Sequence, residues 1–156
     1  MDPKTLCIRP AGRDDLDAMV SLLLALFAVE DDFAPNAECQ RRGLALFLDG
    51  CGKHRGILVA ETDAGVIAMA TVQILISTAQ GGPVGLVEDV VVRADCRGQG
   101  VGRQLMAAVT AWADARGLTR LQLLADRGNQ PALDFYRRIG WQGTRLVCLR
   151  YTPPMG

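Results

Sequence analysis

The feature that most constrains this chain is an apolar segment that leads into a glycine-rich loop and then into a helical pattern. Residues 86–92 are mostly valine and leucine, which is typical of a buried β-strand. Glycines follow at three alternate positions, Gly98, Gly100 and Gly102. Between residues 100 and 116, apolar side chains recur every three or four positions, which predicts a helix. The second half of the chain therefore contains a strand–loop–helix unit.

The segments around this unit also alternate between strand and helix patterns. Strands are predicted at residues 5–9, 57–61, 66–77, 121–125 and 146–151, and helices at residues 14–29, 37–48 and 132–139. This order predicts an α/β (α+β) three-layer domain, in which a mixed sheet of six to seven strands has helices on both faces. A chain of 156 residues with 49% hydrophobic content can fill one core, so residues 1–156 are expected to form a single domain.

Charge and composition exclude several classes of protein. Seventeen basic and seventeen acidic side chains cancel, which argues against binding nucleic acid by bulk electrostatics. The longest apolar run, residues 18–29, is shorter than the ~20 residues of a membrane-spanning helix, and no secretory leader pattern precedes it. Five scattered cysteines and one histidine, His54, support neither a disulfide framework nor a metal site. We expect a cytoplasmic protein with no metal and no nucleic-acid or membrane partner.

The glycine-rich loop has the chemistry of a phosphate site. Glycine lets a backbone approach a ligand closely, and the free N–H groups at the start of a helix attract anions. Arg97 and Arg103 add positive charge on either side. A Walker A loop would need Gly-Lys-Ser/Thr after its glycines, and a G-x-G-x-x-G dinucleotide fingerprint would need a third glycine where Arg103 stands. The loop therefore belongs to neither of these classes.

Two motifs of the chain, which occur one after the other in the second half, resemble those of the GNAT (Gcn5-related N-acetyltransferase) superfamily. The loop is similar to the superfamily's R-x-x-G-x-G pyrophosphate signature, which binds acetyl-coenzyme A. Residues 129–136 followed by Gly140 and Trp141 resemble its N-x-x-A-x-x-F-Y-x-x-x-G-F segment, with Trp141 in place of the commoner Phe. The predicted order of elements also fits the GNAT fold over nearly the whole chain. The resemblance implies an N-acetyltransferase that uses acetyl-CoA as co-substrate.

The resemblance also implies how the coenzyme is held. Backbone N–H groups of the loop would bind the pyrophosphate, and the strand before it would pair with the pantetheine amides where the family's sheet splays apart. Asn129 would contact the coenzyme arm, although it could equally be only a helix N-cap. The implied coenzyme-binding residues are Val90, Val91, Val92, Arg97, Gly98, Gln99, Gly100, Val101, Gly102, Arg103 and Asn129.

Two adjacent carboxylates, Glu88 and Asp89, interrupt the valine-rich strand. Burying an ionised carboxylate without a partner costs several kcal/mol, so such residues persist where they meet water, a cation or a substrate. Strand alternation predicts that they point to opposite faces of the sheet. The strand resembles above all that of the glucosamine-phosphate acetyltransferase branch, and the resemblance implies that Glu88 takes the proton of the acceptor amine. The alternatives are that Asp89 is the base or that the two residues belong to a structural ion pair. The resemblance also implies that Tyr136 protonates the leaving thiolate; the alternative is that Tyr136 is only an aromatic residue of the core.

The acceptor is the least constrained part of this interpretation. Residues 30–32 are acidic and fall where GNAT proteins build an acceptor wall, which would suit a cationic amine, although a charge run is often only a solvated loop. We expect direct acetyl transfer to a primary amine in a ternary complex, to a small molecule in preference to a peptide. The alternatives are a non-catalytic acyl-CoA-binding regulatory module and a protein N-terminal or lysine acetyltransferase. A homodimer formed through residues 146–151 is also expected.

Overall fold

A computed structural model describes residues 5–30 and 32–155 of the chain, which divides into two compact units, Met1–Leu123 and Leu124–Gly156. The elements of the first unit are β1 (Cys7–Pro10), α1 (Leu16–Val29), α2 (Ala37–Asp49), β2 (Arg55–Thr62), β3 (Gly65–Ser77), β4 (Gly82–Val92), α3 (Val101–Asp114) and β5 (Leu121–Leu123). The second unit contains α4 (Gln130–Arg138). None of the helices in the described ranges is long and apolar enough to cross a membrane.

The sheet of the first unit is mixed and has five strands in the order β1-β2-β3-β4-β5. The first four strands pair in an antiparallel manner, and β5 lies parallel to β4. Helices α1 and α2 pack on one face, around Met19, Leu44 and Val59. On the other face lies α3, whose Trp112 covers Gly56 so closely that a Cβ there would be 2.8 Å from the indole ring. The predicted three-layer α/β arrangement with helices on both faces is confirmed in this unit.

The predicted strand at residues 146–151 is wrong, and with it the count of six to seven strands. No strand forms among the described residues of the second unit, and the apolar side chains of Leu146, Val147, Leu149 and Tyr151 are at least 66% exposed. The segment has the β-branched and aromatic residues of a strand, but strand propensity is realised only by packing against neighbouring strands. The structure therefore lacks the edge on which the expected homodimer was based.

One irregularity in β4 decides the geometry of the site. β4 pairs with β3 on both sides of a register shift, at which Asp89 and Val90 together lie opposite the single residue Ala70. This is a β-bulge, and Asp89 has a φ of 51°, the only positive φ of a non-glycine residue in the described ranges. A bulge breaks the two-residue alternation of a strand. Glu88 and Asp89 line one cavity, so the prediction that they point to opposite faces of the sheet is wrong.

Candidate functional site

Residues 98–103, the glycine loop, comprise the turn before α3 and the first three residues of that helix, and the turn has a conformation that needs glycine. Gly98 and Gly100 have φ values of 73° and 82°, and a Cβ on either would meet nothing within 4 Å. Gly100 is the N-cap of α3 and provides no side-chain cap. The backbone N–H groups of residues 101–103 therefore lack intrahelical partners and lie at the positive end of the helix dipole. The loop offers an open backbone surface with the donors and polarity that a phosphate group needs.

The two arginines of the predicted phosphate site are both exposed but differ in their contacts. The Nε of Arg97 donates a hydrogen bond of 3.0 Å to the carbonyl oxygen of Val92, which fixes the loop to the end of β4. Arg103 lies in the first turn of α3. Their guanidinium charges flank the helix N-terminus, so they add to the attraction of an anion there.

From Glu88 to Val92, β4 has an open edge, since no strand among the described residues pairs with it on the side of β5. β5 pairs with β4 only from Gly85 to Val87, because β5 itself ends at Leu123. The splay that the resemblance implies remains a prediction. The N–H of Arg93 donates to the Ile67 carbonyl of the neighbouring β3 at 2.8 Å. Because backbone groups alternate along the regular part of a strand, those of Val91 face β3, as those of Arg93 do, and those of Val92 face the open edge. Of the three predicted pantetheine-pairing residues, Val92 has its backbone groups on this unpaired side, and the pairing itself remains a prediction.

A cavity of about 270 Å³ lies in the first unit between α1, α2 and the sheet. We call it the carboxylate cavity, because both Glu88 and Asp89 line it. Its apolar lining residues are Leu23, Phe27, Leu44 and Phe47, and its remaining lining residues are Cys39, Gln40, Gly43 and Gln73. Among the residues that the structure describes, no lysine, arginine or histidine lines it. The cavity therefore combines apolar walls with a negative end.

Asp89 has the electrostatics of a proton acceptor. Burial, and then the negative charges of Glu88 and Glu30, raise the pKa of Asp89 from 3.8 to about 6. Neither Glu88 nor Asp89 forms an ion pair with a cation in the described part of the chain, so the described residues do not support the structural ion-pair alternative. Glu30 belongs to the predicted acidic cluster and acts on this cavity; Asp32 is exposed, and Asp31 lies outside the described residues. A carboxyl group with this pKa can both take and release a proton near neutral pH.

In the second unit, Asn129 and Tyr136 belong to α4. The Oδ1 of Asn129 accepts a hydrogen bond of 3.2 Å from the N–H of Ala132, so its interpretation as an N-cap is confirmed. The ring of Tyr136 is half-buried, with its centroid 5.2 Å from that of Phe135 and 5.9 Å from that of Trp141. A coenzyme contact of Asn129 and proton donation by Tyr136 remain predictions.

Sequence reasoning missed the bulge and the roles of Phe27 and Phe47 as cavity walls. The two phenylalanines were indistinguishable from ordinary core residues, because each occupies an apolar position of a helix. The bulge did leave a signal: two adjacent carboxylates in a valine-rich strand cannot both face water under strict alternation. An irregular strand at this point would have explained the pair.

Comparisons with known proteins give a consistent result. A model of the acetyltransferase (GNAT) family matches residues 23–141. An uncharacterized N-acetyltransferase of Methanocaldococcus jannaschii is 25% identical over 145 residues, which are 92% of this chain and 64% of that protein, so the chain spans less than two thirds of its length.

Two solved structures show the fold. Glucosamine-6-phosphate N-acetyltransferase from Arabidopsis thaliana has a TM-score of 0.75 at 21% identity, and the match covers 96% of this chain and 100% of that one. An aminoglycoside N-acetyltransferase in complex with CoA has a TM-score of 0.81 at 20% identity and covers 96% of both chains. At such identities the similarity concerns the fold alone.

Proposed function

The chain belongs to the acetyltransferase (GNAT) family, and we propose that it transfers the acetyl group of acetyl-CoA to the primary amine of a small molecule. The observation that carries the proposal is the position of Asp89. It is a partly buried carboxyl group with a pKa of about 6, on the strand segment whose open edge leads to the glycine loop. One strand thus connects a proton acceptor, an unpaired backbone edge and a phosphate-binding loop.

The residues present suit the coenzyme. The N–H groups of residues 101–103, with Arg97 and Arg103 beside them, would hold the pyrophosphate, and the open edge at Val90 and Val92 would pair with the amides of the pantetheine arm. A Cβ at Gly98 or Gly100 would occupy the open surface of the loop, so glycine keeps it accessible. When bound, the coenzyme supplies the activated thioester.

The acceptor must lose a proton before it can attack, because an alkylamine has a pKa near ~10 and is an ammonium ion at neutral pH. We assign this proton to the carboxylate of Asp89. The predicted base, Glu88, lies in the same cavity but is exposed. The freed nitrogen lone pair forms the C–N bond to the thioester carbonyl, and the C–S bond breaks. A second proton leaves the nitrogen as the amide forms.

Two further groups of this chain would assist the transfer. The main-chain N–H of Val90, beside the bulge, would donate to the carbonyl oxygen as negative charge develops on it. The phenol of Tyr136 would protonate the departing thiolate and regain a proton from solvent. The overall reaction then converts one ammonium group and one thioester into an amide, a thiol and one proton.

A catalytic role is favoured over a non-catalytic acyl-CoA-binding module because the module would not need a carboxyl group with a raised pKa in a cavity. A small acceptor is favoured over a peptide because the cavity, at about 270 Å³, is close to the lower end of the ~300–1,000 Å³ range of small-molecule sites. A peptide substrate needs an extended groove.

The test begins with binding and then measures chemistry. Acetyl-CoA and CoA at ~100 times Kd should each stabilise the protein by about 2.7 kcal/mol in thermal unfolding, and NAD should not. Amine acetylation should then be followed by mass spectrometry, because the five cysteines of the chain would react with thiol reagents. Binding of neither CoA species would refute the proposal. Binding without acetylation of any small amine or peptide would favour the non-catalytic module.

A further inference from the structure

We infer that the acceptor is a compact primary amine with an apolar, uncharged body and no phosphate group. This inference deepens the proposed function and depends on it. It follows from the composition of the carboxylate cavity, whose charged groups are all acidic and whose walls are formed by phenylalanine and leucine side chains. The argument has three steps, which concern the charge, the walls and the size of the cavity.

The charge of the cavity selects an ammonium group and opposes an anion. Glu88 and Asp89 line it, and Glu30 lies close enough to raise the pKa of Asp89. A sugar phosphate would need a cation to offset its charge, and no lysine, arginine or histidine lines the cavity in the described ranges. The nearby Arg55 is committed elsewhere, because its guanidinium donates to the carbonyl oxygens of Phe47 and Leu46. The phosphate of a sugar phosphate would therefore meet carboxylates without a compensating cation.

The walls select an apolar body. Phe27 and Phe47 face the cavity from α1 and α2, with Leu23 and Leu44 beside them. The Phe27 ring contacts that of Phe33, and the two ring centroids are 5.4 Å apart. The guanidinium carbon of Arg55 lies 5.7 Å from the centroid of the Phe47 ring. These four apolar side chains offer no hydrogen bond to the hydroxyl groups of a sugar, whose partners would be limited to Gln40, Gln73 and the two carboxylates. A phenyl or alkyl group would gain from the same burial.

The cavity, at about 270 Å³, suits a body of a few carbon atoms or one ring, and Gly43 forms part of its lining. Gly43 lines the cavity from the middle of α2, and a Cβ there would meet nothing within 4 Å. A leucine at this position would extend along the apolar wall and reduce the space without a backbone clash. Ala37 is exposed on the same helix outside the cavity, so Ala37→Leu adds bulk without filling it.

The first experiment compares four amines by kcat/KM at saturating acetyl-CoA: 2-phenylethylamine, hexylamine, 1,6-diaminohexane and glucosamine 6-phosphate. The two monoamines should exceed glucosamine 6-phosphate by at least tenfold. A preference for glucosamine 6-phosphate or for the diamine would overturn the inference while leaving the proposed acetyltransferase intact. Binding of acetyl-CoA with acetylation of none of the four would also overturn it. Failure to bind acetyl-CoA would refute the proposed function itself.

The second experiment uses variants to locate the acceptor. Gly43→Leu should raise KM for 2-phenylethylamine at least tenfold and leave the Kd of acetyl-CoA unchanged, whereas Ala37→Leu should alter neither. Glu88→Gln should raise KM for the amine by at least fivefold, whereas Glu38→Gln, which removes the same charge from an exposed position outside the cavity, should not. An unchanged KM in both cavity variants would show that the amine binds elsewhere and would overturn the inference.

Discussion

Replacement of Asp89 by asparagine tests the proposed base through two measurable effects of opposite sign. Asp89 has a φ of 51°, a region that asparagine tolerates as well as aspartate does, so the bulge should persist. The side chain keeps its size and loses only its ability to ionise. We expect Asp89→Asn to fold more stably than the wild type at neutral pH and to catalyse acetyl transfer far more slowly.

The stability change follows from the pKa of Asp89, which burial and the charges of Glu88 and Glu30 raise from 3.8 to about 6. The folded state therefore holds this proton more tightly than the unfolded chain does. The free energy of unfolding then falls as pH rises from ~4 to ~6, and the loss is complete above that range. A shift of about two pKa units corresponds to at most about 3 kcal/mol. Because asparagine cannot ionise, the advantage of Asp89→Asn should be near zero below pH ~4 and about 1–3 kcal/mol above pH ~6.

The change in activity is larger and of opposite sign. Loss of a general base should lower kcat by about 100-fold or more, and the rise of wild-type kcat/KM with pH through ~6 should be absent from the variant. Urea unfolding across this pH range and mass-spectrometric rates measure the two effects. Asp63→Asn, in the exposed turn between β2 and β3, is the matched control and should change neither. Wild-type kcat in Asp89→Asn, with the loss found instead in Glu88→Gln, would refute the reasoning and make Glu88 the base.

Three further substitutions test other parts of the site and the core. Gly100→Val should weaken acetyl-CoA binding at least tenfold, as measured by titration calorimetry, because valine at a φ of 82° is strained and would move the loop. The control Gly81→Val, at a φ of 71° in the β3–β4 turn, should leave the affinity for acetyl-CoA unchanged. Tyr136→Phe should lower kcat about tenfold without altering acetyl-CoA affinity, and an unchanged kcat would remove Tyr136 from the mechanism. Gly56→Ala should destabilise the protein by about 1–3 kcal/mol in urea unfolding, because its Cβ would lie 2.8 Å from the Trp112 ring.

Much of the fold could be predicted from local patterns in the sequence. The order of elements from β1 to α4 is confirmed. It was predictable because the spacing of apolar residues and the glycines that end helices depend on only a few neighbouring residues. Gly65, Gly117 and Gly140 have positive φ values where a turn or a helix end was expected. Residues 146–151 show the limit of this reasoning, since their composition favours a strand but a strand also requires a partner that no local pattern specifies.

The site was predictable only where its parts are contiguous in sequence. The glycine loop is one such part, and its conformation follows from two glycines with positive φ, Gly98 and Gly100, before a helix. The carboxylate cavity is not, because Phe27, Phe47 and Asp89 come from three separate elements that only tertiary packing brings together. The relation of Glu88 to Asp89 was predicted wrongly, because alternation assumes a regular strand and one extra residue reverses its phase.

That extra residue also explains why an aspartate at this position indicates chemistry. Asp89 carries two costs at once: a left-handed backbone conformation, and ionisation in a partly buried cavity that already contains acidic groups. Asparagine would avoid the second cost and tolerate the first equally well, and glycine would relieve the strain. Neither could exchange a proton with a substrate near neutral pH. A neutral residue would reduce both costs, and Asp89 bears them at the point where the open edge of β4 meets the cavity. This arrangement is expected of a residue that serves proton transfer and not folding.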